Sequence, residues 1–482
     1  MAREEEHKCV IRNKDPEVGQ RHAQQSHTGQ NRGEEKEGAG PLFSNRDLRL
    51  LIIPLVIDQV LARTVGMADT MMISSVGEAA ISGVSLVDML NMLINAVFAA
   101  VATGGAVIAS QYLGHREQEK ACEACSQLML VTVLCALLIT ALTLLLKRPL
   151  LSVLFGRIEA DVMEAALTYL TISAISFPFL AIFNSSSALF RTVNNSRTPM
   201  LISFAMNVMN LMGNSILIYF MGWGVAGAAL STLFSRVMAA VVMFALSCDR
   251  RRPLHIRPDE MLRPRGKLIG QILYIGIPSG IENGIFELGR IVVVSMISTF
   301  GTVQIAANAV ANNLDSVGVM AGAAMNLAIL TVVGRCVGAH DNEQVRAYTR
   351  KLLKIEYAMM IAVNVVLLAA LPMILDLYTL SQPSRELATQ LIFIHDGFAM
   401  VLWPLALSLP NALRAANDVR FPMFFSIASM ICFRIALSYV VGVRMGYGAL
   451  GVWFAMLVDW IARAAVYVWR FRQGKWEKMA RI

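Results

Sequence analysis

The chain contains an internal repeat of more than two hundred residues. Residues 53–114 align without a gap on residues 277–338, 224 positions apart, and residues 190–200 match residues 413–423. The aligned positions include Pro54, Gly77 and Gly114, which fall on Pro278, Gly301 and Gly338. Solenoid units have periods of about 20 to 50 residues, so this unit is far too long to be one. The repeat therefore predicts two homologous lobes.

Composition places both lobes in a membrane. Hydrophobic residues make up 56% of the 482 residues and charged residues only 16%, which is not typical of a soluble enzyme. A spanning helix needs about 20 mostly apolar residues. Twelve such runs occur, at residues 49–73, 84–109, 123–146, 162–189, 199–220, 225–247, 271–298, 305–333, 349–376, 386–412, 421–443 and 448–470. The predicted fold is an all-α integral membrane protein with twelve transmembrane helices in two six-helix lobes. Because each lobe has an even number of helices, the lobes are related by a pseudo-twofold axis along the membrane normal.

The predicted organisation has five segments. Residues 1–46 form a disordered cytoplasmic tail, 47–247 the N-lobe with helices 1–6, 248–270 a cytoplasmic linker, 271–470 the C-lobe with helices 7–12, and 471–482 a cytoplasmic C-terminus. With this orientation 32 of the 42 Lys and Arg residues face the cytoplasm and 5 lie in outer loops, as the positive-inside rule requires. We expect a multi-pass protein of the plasma membrane with both termini in the cytoplasm.

Two homologous six-helix lobes are typical of transporters. In such folds the substrate path lies between the lobes, and one lobe rocks against the other. A membrane enzyme is the rival class, but the sequence has no His-Glu-x-x-His helix, no Gly-x-Ser-x-Gly elbow and no phosphate-binding loop. It also has no basic patch with interleaved aromatics for nucleic acid. Without a nucleotide site, transport must draw on an ion gradient. We expect a monomer in the lipid bilayer with no cofactor, coupled to H+ or Na+.

The N-lobe offers acids and amides at membrane depth, where each such residue is a functional candidate because of its cost. In the first helix Asp58 and Asp69 are eleven positions apart, about three turns, so they share one face about 16 Å apart. In the fifth helix Asn207, Asn210 and Asn214 form an amide stripe. The stripe can donate to a carboxylate or offer oxygens to Na+, or it can simply join packed helices. Na+ at Asp69 is the one metal ion that the sequence suggests.

The C-lobe carries a different set of charges in the seventh helix. Glu287 and Arg290 are i, i+3 neighbours that can neutralise one another. In the repeat Glu287 falls on Arg63, and Glu282 falls on Asp58. One hypothesis is that Arg63 approaches Glu287 across the central cavity in one conformation. The alternative is a separate ion pair within each lobe.

The repeat also exchanges an acid and an amide between the second and eighth helices. Asp88 and Asn91 correspond to Asn312 and Asp315. All four lie near the predicted outer ends of their helices. They are consistent either with a gate or with solvation at the membrane interface.

Two further groups lie in the last three helices. Arg434 and Asp459 are predicted to form a structural pair rather than a transport site. His395 and Asp396 in the tenth helix could relay protons, although a lone intramembrane His more often makes a packing hydrogen bond.

The substrate class is suggested by the methionine content and by the acidic residues. The 28 Met residues would line an adaptable cavity suited to unrelated ligands, but Met also packs against lipid. Acidic groups in the cavity favour cationic or amphipathic small molecules. The alternative within transport is a flippase for a lipid-linked or other amphipathic precursor, which would require a cavity rich in Arg and Lys.

Together these features resemble the multidrug and toxic compound extrusion (MATE) family over residues 48–476. The resemblance is carried by motifs in order in both lobes: Pro54 with Asp69 fifteen residues on, Ser110-Gln111-Tyr112-Leu113-Gly114, Arg197-Thr198-Pro199, Gly224-Val225-Ala226-Gly227, Gly276-Ile277-Pro278, Gly448-Ala449-Leu450-Gly451-Val452-Trp453 and Gly474-Lys475-Trp476. It implies a secondary antiporter that exports organic cations or other amphipathic compounds in exchange for H+ or Na+.

The resemblance also assigns residues. Asp69 matches the family's first-helix acid of the N-lobe ion site, and Asn210 matches its fifth-helix Asn. Pro54 matches the proline at which the first helix bends on protonation, and Pro278 is its counterpart in the repeat.

The sequence departs from the family at three acids. Asn214 stands where the family has a second N-lobe acid, and Phe286 and Trp403 stand at or near the acids of the C-lobe site. The ion site is therefore expected at Asp69 first and at Glu282 or Glu287 second.

Overall fold

A computed structural model describes residues 41–155, 159–376, 378 and 380–480 of the chain. The predicted disordered tail therefore lies outside the described residues except for its last six positions, as do the last two residues of the C-terminus. The described residues form helices joined by short connections, with no strand among them. The all-α fold class is confirmed.

Among the described residues, the first half of the chain has six long helices. They are α1 (Asn45–Ser74), α2 (Glu78–Gly114), α3 (Gln118–Phe155), α4 (Ala160–Thr192), α5 (Arg197–Asn214), which continues as a π-helix at Ser215–Phe220, and α6 (Gly224–Ser247). A capping box starts α1, because Asp47 N donates to Ser44 Oγ at 3.2 Å and Ser44 N donates to Asp47 Oδ2 at 2.9 Å. Pro54 lies inside α1 and does not end it.

The second half repeats this order with more interruptions. After the short α7 (Pro258–Met261) come α8 (Gly266–Ile297), a 3₁₀ turn at Ser298–Phe300, α9 (Thr302–Gly318), α10 (Met320–Gly338), α11 (Asn342–Asp376), α12 (Gln382–Trp403), a π-helix at Pro404–Ser408, α13 (Leu409–Ala415), α14 (Arg420–Ser429), π-helices at Met430–Leu437 and Tyr439–Arg444, α15 (Gly448–Arg472) and a 3₁₀ turn at Lys475–Lys478.

Twelve helices among the described residues are long and apolar enough to cross a membrane, as predicted. Several extend beyond the predicted limits; α2 has 37 residues, for example. The eighth predicted span differs most, because it is two helices with a break at Val319 between α9 and α10. Hydropathy does not register a one-residue break within an apolar run.

The two lobes meet mainly at one side of the molecule. We call this the near side, where α1 begins at Asn45, and the opposite side, where α1 ends at Ser74, the far side. The largest core cluster joins the near halves of both lobes; for example, it contains Leu51 and Leu128 with Ile272 and Val332. The far halves have separate cores, one in each lobe. The described structure is therefore closed at the near side.

The near-side seam depends on two glycines that the repeat makes equivalent. A Cβ on Gly114 would collide with the Arg335 carbonyl, and one on Gly338 would collide with the Gln111 carbonyl. Hydrogen bonds across the lobes reinforce this contact: Gln111 Nε2 donates to Ala415 O at 2.8 Å. Close backbone approach without a side chain is a role that only glycine fills.

Candidate functional site

The N-lobe brings Asp69 together with two amides of the predicted stripe. Asn214 Nδ2 donates to Asp69 Oδ1 at 2.8 Å. Asn210 also faces Asp69; in the orientation that satisfies both neighbours, its Nδ2 lies 2.9 and 3.0 Å from the two Asp69 oxygens and its Oδ1 accepts from Thr232 Oγ1 at 3.1 Å. Asp69 is half-buried, whereas Asn210 and Asn214 are buried. The direct partners of the carboxylate are thus neutral amides.

Other N-lobe groups surround this cluster. Arg236 and Asp88 both interact electrostatically with Asp69, and Tyr169 interacts with Asp69 and Asp88. Arg236 Nη1 donates to Ser176 Oγ at 2.7 Å. The cluster therefore contains the carboxylates of Asp69 and Asp88 and the guanidinium of Arg236, which acts on Asp69 electrostatically while it donates to Ser176.

The remaining N-lobe candidates lie apart from Asp69. Asp58 is half-buried and its Oδ1 has no hydrogen-bond partner. Asn207 is half-buried on α5, and Arg63 is exposed on α1. The amide stripe is thus split: two of its members hold Asp69, and Asn207 is not among the groups that contact it.

In the C-lobe Glu282 belongs to a cavity of about 320 Å³. Arg414 Nη2 lies 2.6 Å from Glu282 Oε2, and Ser426 Oγ donates to Glu282 Oε1 at 2.6 Å. Arg414 Nη1 also donates to Asn411 Oδ1 at 2.5 Å. Pro278 is half-buried one turn before Glu282 on α8. Glu282 is therefore held by an ion pair, which distinguishes it from Asp69.

Glu287 forms the pair within its own helix. Arg290 Nη1 lies 3.3 Å from Glu287 Oε2, and the Arg290 side chain is 50% exposed. Contact between Arg63 and Glu287 is not part of this near-side-closed structure. The hypothesis concerned another conformation and stays a prediction.

At the positions where family acids are absent, aromatic rings line the cavity instead. Phe286 and Trp403 both face it. The guanidinium of Arg434 lies 5.1 Å from the centre of the Phe286 ring, and that of Arg463 lies 6.0 Å from it. Both guanidinium groups therefore make cation–π contacts with Phe286.

The predicted pair of Arg434 and Asp459 is present but is not the closest one. Their nearest charged atoms are 3.8 Å apart, whereas Arg463 Nε lies 2.9 Å from Asp459 Oδ1. Ser429 also donates to Asp459. Asp459 therefore serves two guanidinium groups.

The charges within the spans that were not predicted from the sequence include Arg236, which is half-buried in α6, and Glu356 in α11. Glu356 is fully buried in α11 and accepts from Ser408 Oγ at 2.5 Å. Both could have been found by applying the cost of intramembrane charge to every span.

Comparison with known proteins identifies the family. A profile of the MatE family matches residues 54–216 and again residues 278–440. The chain belongs to the MatE family. The two matches begin at Pro54 and Pro278, so the family unit itself is what the repeat duplicates.

Individual MatE relatives are distant but full-length. The chain is 26% identical to an uncharacterized transporter, YisQ, of Bacillus subtilis over 92% of this chain and 96% of that protein. It is 25% identical to a probable multidrug resistance protein, NorM, of Thermotoga maritima, covering 90% and 94%. Among solved structures, a MOP superfamily transporter from Pyrococcus furiosus has a TM-score of 0.83 at 20% identity, covering 91% and 97%, and a MATE protein in a bent conformation has a TM-score of 0.82 at 20% identity, covering 90% and 96%. The chain is thus a multi-pass member of a transporter family with their fold.

The ion pair in the cavity gives a first prediction. Arg414→Met leaves Glu282 buried with only Ser426 as a donor, so we expect the free energy of unfolding to fall by about 1–3 kcal/mol. The double variant with Glu282→Gln removes the stranded charge and should recover part of the loss. Thermal unfolding in detergent measures both; equal loss in the single and double variants would contradict the pairing.

Proposed function

We propose that this MatE protein is a secondary active antiporter that exports organic cations or other amphipathic compounds in exchange for H+ or Na+ by alternating access. The observation that carries the proposal is Asp69, a half-buried carboxylate in a spanning helix held by Asn210 and Asn214. An ionised carboxylate at this depth is costly unless a cation compensates it. A cationic substrate and a coupling ion can both supply that charge, so they compete.

The amides suit a carboxyl group that changes protonation. While Asp69 is ionised, the Nδ2 atoms of Asn210 and Asn214 donate to it. A protonated carboxyl group donates instead, and an amide that turns over presents its oxygen as acceptor. Asn214 Oδ1 has no hydrogen-bond partner in the present arrangement and is free to take that role. Na+ would bind the same amide oxygens, so this site suits either coupling ion.

The flippase alternative is less well supported by the cavity. Two Arg residues line it, but Arg414 is paired with Glu282 and Arg463 with Asp459. A phosphate-bearing precursor would have to compete with those carboxylates.

Reconstitution tests the proposal directly. Purified protein in proteoliposomes should move ethidium, a fluorescent organic cation, when a pH gradient or a Na+ gradient is imposed, and protein-free liposomes should not. Transport driven by one gradient identifies the ion. Ethidium movement that no ion gradient changes would contradict antiport, and movement of a fluorescent lipid alone would favour the flippase.

A further inference from the structure

A second polar cluster lies in the C-lobe, away from Asp69 and outside the cavity. His395 and Asp396 are adjacent in α12, and Asp315 is near the end of α9. His395 Nδ1 lies 2.9 Å from Asp315 Oδ1 and 3.2 Å from Asp396 Oδ1. His395 is 1% exposed and Asp396 is 0% exposed. One ring nitrogen therefore faces two carboxylates.

The cluster has more acceptors than donors. A neutral imidazole has a single Nδ1–H, and when it donates to Asp396 Oδ1 it leaves Asp315 Oδ1, 2.9 Å from the same nitrogen, without a donor. Asp396 Oδ2 has no hydrogen-bond partner either. Asn364, fully buried in α11, has an unpartnered Oδ1 as well. A Cβ on Gly318 would lie 2.5 Å from Asn364 Oδ1 and 3.5 Å from Asp396 Oδ1. Asn364 Oδ1 and the Asp396 carboxylate thus both lie beside Gly318, at the break between α9 and α10.

The surrounding charges leave this region one positive charge short. Arg434 interacts electrostatically with Asp315 and with Asp459, and Arg463 in α15 pairs with Asp459. Arg290 also acts on Arg434, but it is paired with Glu287, so this pair adds no net charge. Asp315, Asp396 and Asp459 are three carboxylates against the two guanidinium groups of Arg434 and Arg463. A protonated imidazole makes the numbers equal. Its deprotonation leaves an unbalanced buried charge, which is strongly unfavourable.

We propose that Asp315, His395 and Asp396 form a site that binds one proton in the C-lobe. The ring nitrogen occupies the space between the carboxylates where a metal ion would lie, so the ring itself carries the positive charge. Hard metal cations need about six oxygens, more than converge here. The other acid on the packed helices, Glu356 in α11, has its own donor in Ser408. The site does not depend on the transport proposal.

Two tryptophans next to the imidazole provide a direct measurement. The His395 ring centroid lies 4.8 Å from that of Trp453 and 4.7 Å from that of Trp460. A protonated imidazole in contact with an indole quenches its fluorescence. For the full chain in lipid nanodiscs without substrate, we expect a reversible fall in tryptophan emission as the pH is lowered through one transition.

Three variants locate the proton. His395→Gln should lose the transition, and the matched change His340→Gln, at the near-side seam, should keep it. Asp315→Asn retains the imidazole but removes one carboxylate, so its transition should move to lower pH by about one unit or more. Asp315→Asn keeps the test decisive if His395→Gln does not fold.

Any of three results would overturn the site. The first is an unchanged transition in His395→Gln, and the second is an unshifted transition in Asp315→Asn. The third is a transition that Na+ or Zn²⁺ displaces and K+ does not, which would mean that the cluster binds a metal cation. Loss of ethidium transport with an intact fluorescence transition would concern the proposed function only.

Discussion

Asp69→Asn is expected to reduce ethidium efflux strongly while leaving the protein folded in the membrane. The substitution keeps the shape of the side chain and removes the only charge that Asn210 and Asn214 hold. Without that charge neither a cationic substrate nor a coupling ion is compensated at the site, so the coupling free energy between them is lost. Such couplings are about 1–3 kcal/mol, equivalent to about 5- to 150-fold. We expect the initial efflux rate to fall toward the upper end of that range.

A matched substitution tests whether the effect is specific to the charge of Asp69 or follows from the loss of any carboxylate. Asp161, exposed at the start of α4, can receive the same change and should keep wild-type efflux. Both variants are compared at equal amounts of protein with the same elution profile in size-exclusion chromatography. Efflux by Asp69→Asn at the rate of Asp161→Asn would remove Asp69 from the mechanism.

Much of the fold could be predicted because its signals are local or repeated. Each span is a continuous apolar run, so hydropathy alone counts twelve of them. The sequence could also predict that Asn210 and Asn214 act together at Asp69, because both amides lie on one face of one helix. Asn207 shares that face but lies too far along α5 to join them.

The C-lobe could not be predicted in the same way because its contacts join distant segments. Glu282 on α8 meets Arg414 on α13, although the sequence offered Glu287 and Arg290 as nearer neighbours. Which Arg reaches which acid depends on how interrupted helices pack. The π-helices and the break at Val319 that set this packing have no signature in an apolar run.

Gly338→Val is expected to prevent closure of the near side and to reduce efflux. A Cβ here meets the backbone carbonyl of Gln111 on the other lobe, and a backbone atom within α2 cannot move aside as a flexible side chain can. Overpacking of this kind costs about 1–3 kcal/mol. The far halves keep their own cores, so the cost falls on the contact between the lobes. An equilibrium between two access states shifts by about 5- to 150-fold for that energy, away from the closed near side.

Distances between the lobes test this separately from transport. Spin labels at Lys120 and Glu343, both exposed at near-side helix starts in opposite lobes, should move apart in Gly338→Val. Gly270→Val is the matched control, because Gly270 is on the near side of α8 with open space around it. It should leave both the distance and the efflux rate unchanged.

If Gly338→Val also keeps the wild-type distance, the seam tolerates the side chain and cannot be what holds the near side closed. A longer distance with normal efflux would mean that near-side closure does not limit the rate. Only both changes together make the glycine seam part of the transport cycle, because a steric block at the lobe contact must alter the population of the closed state before it alters turnover.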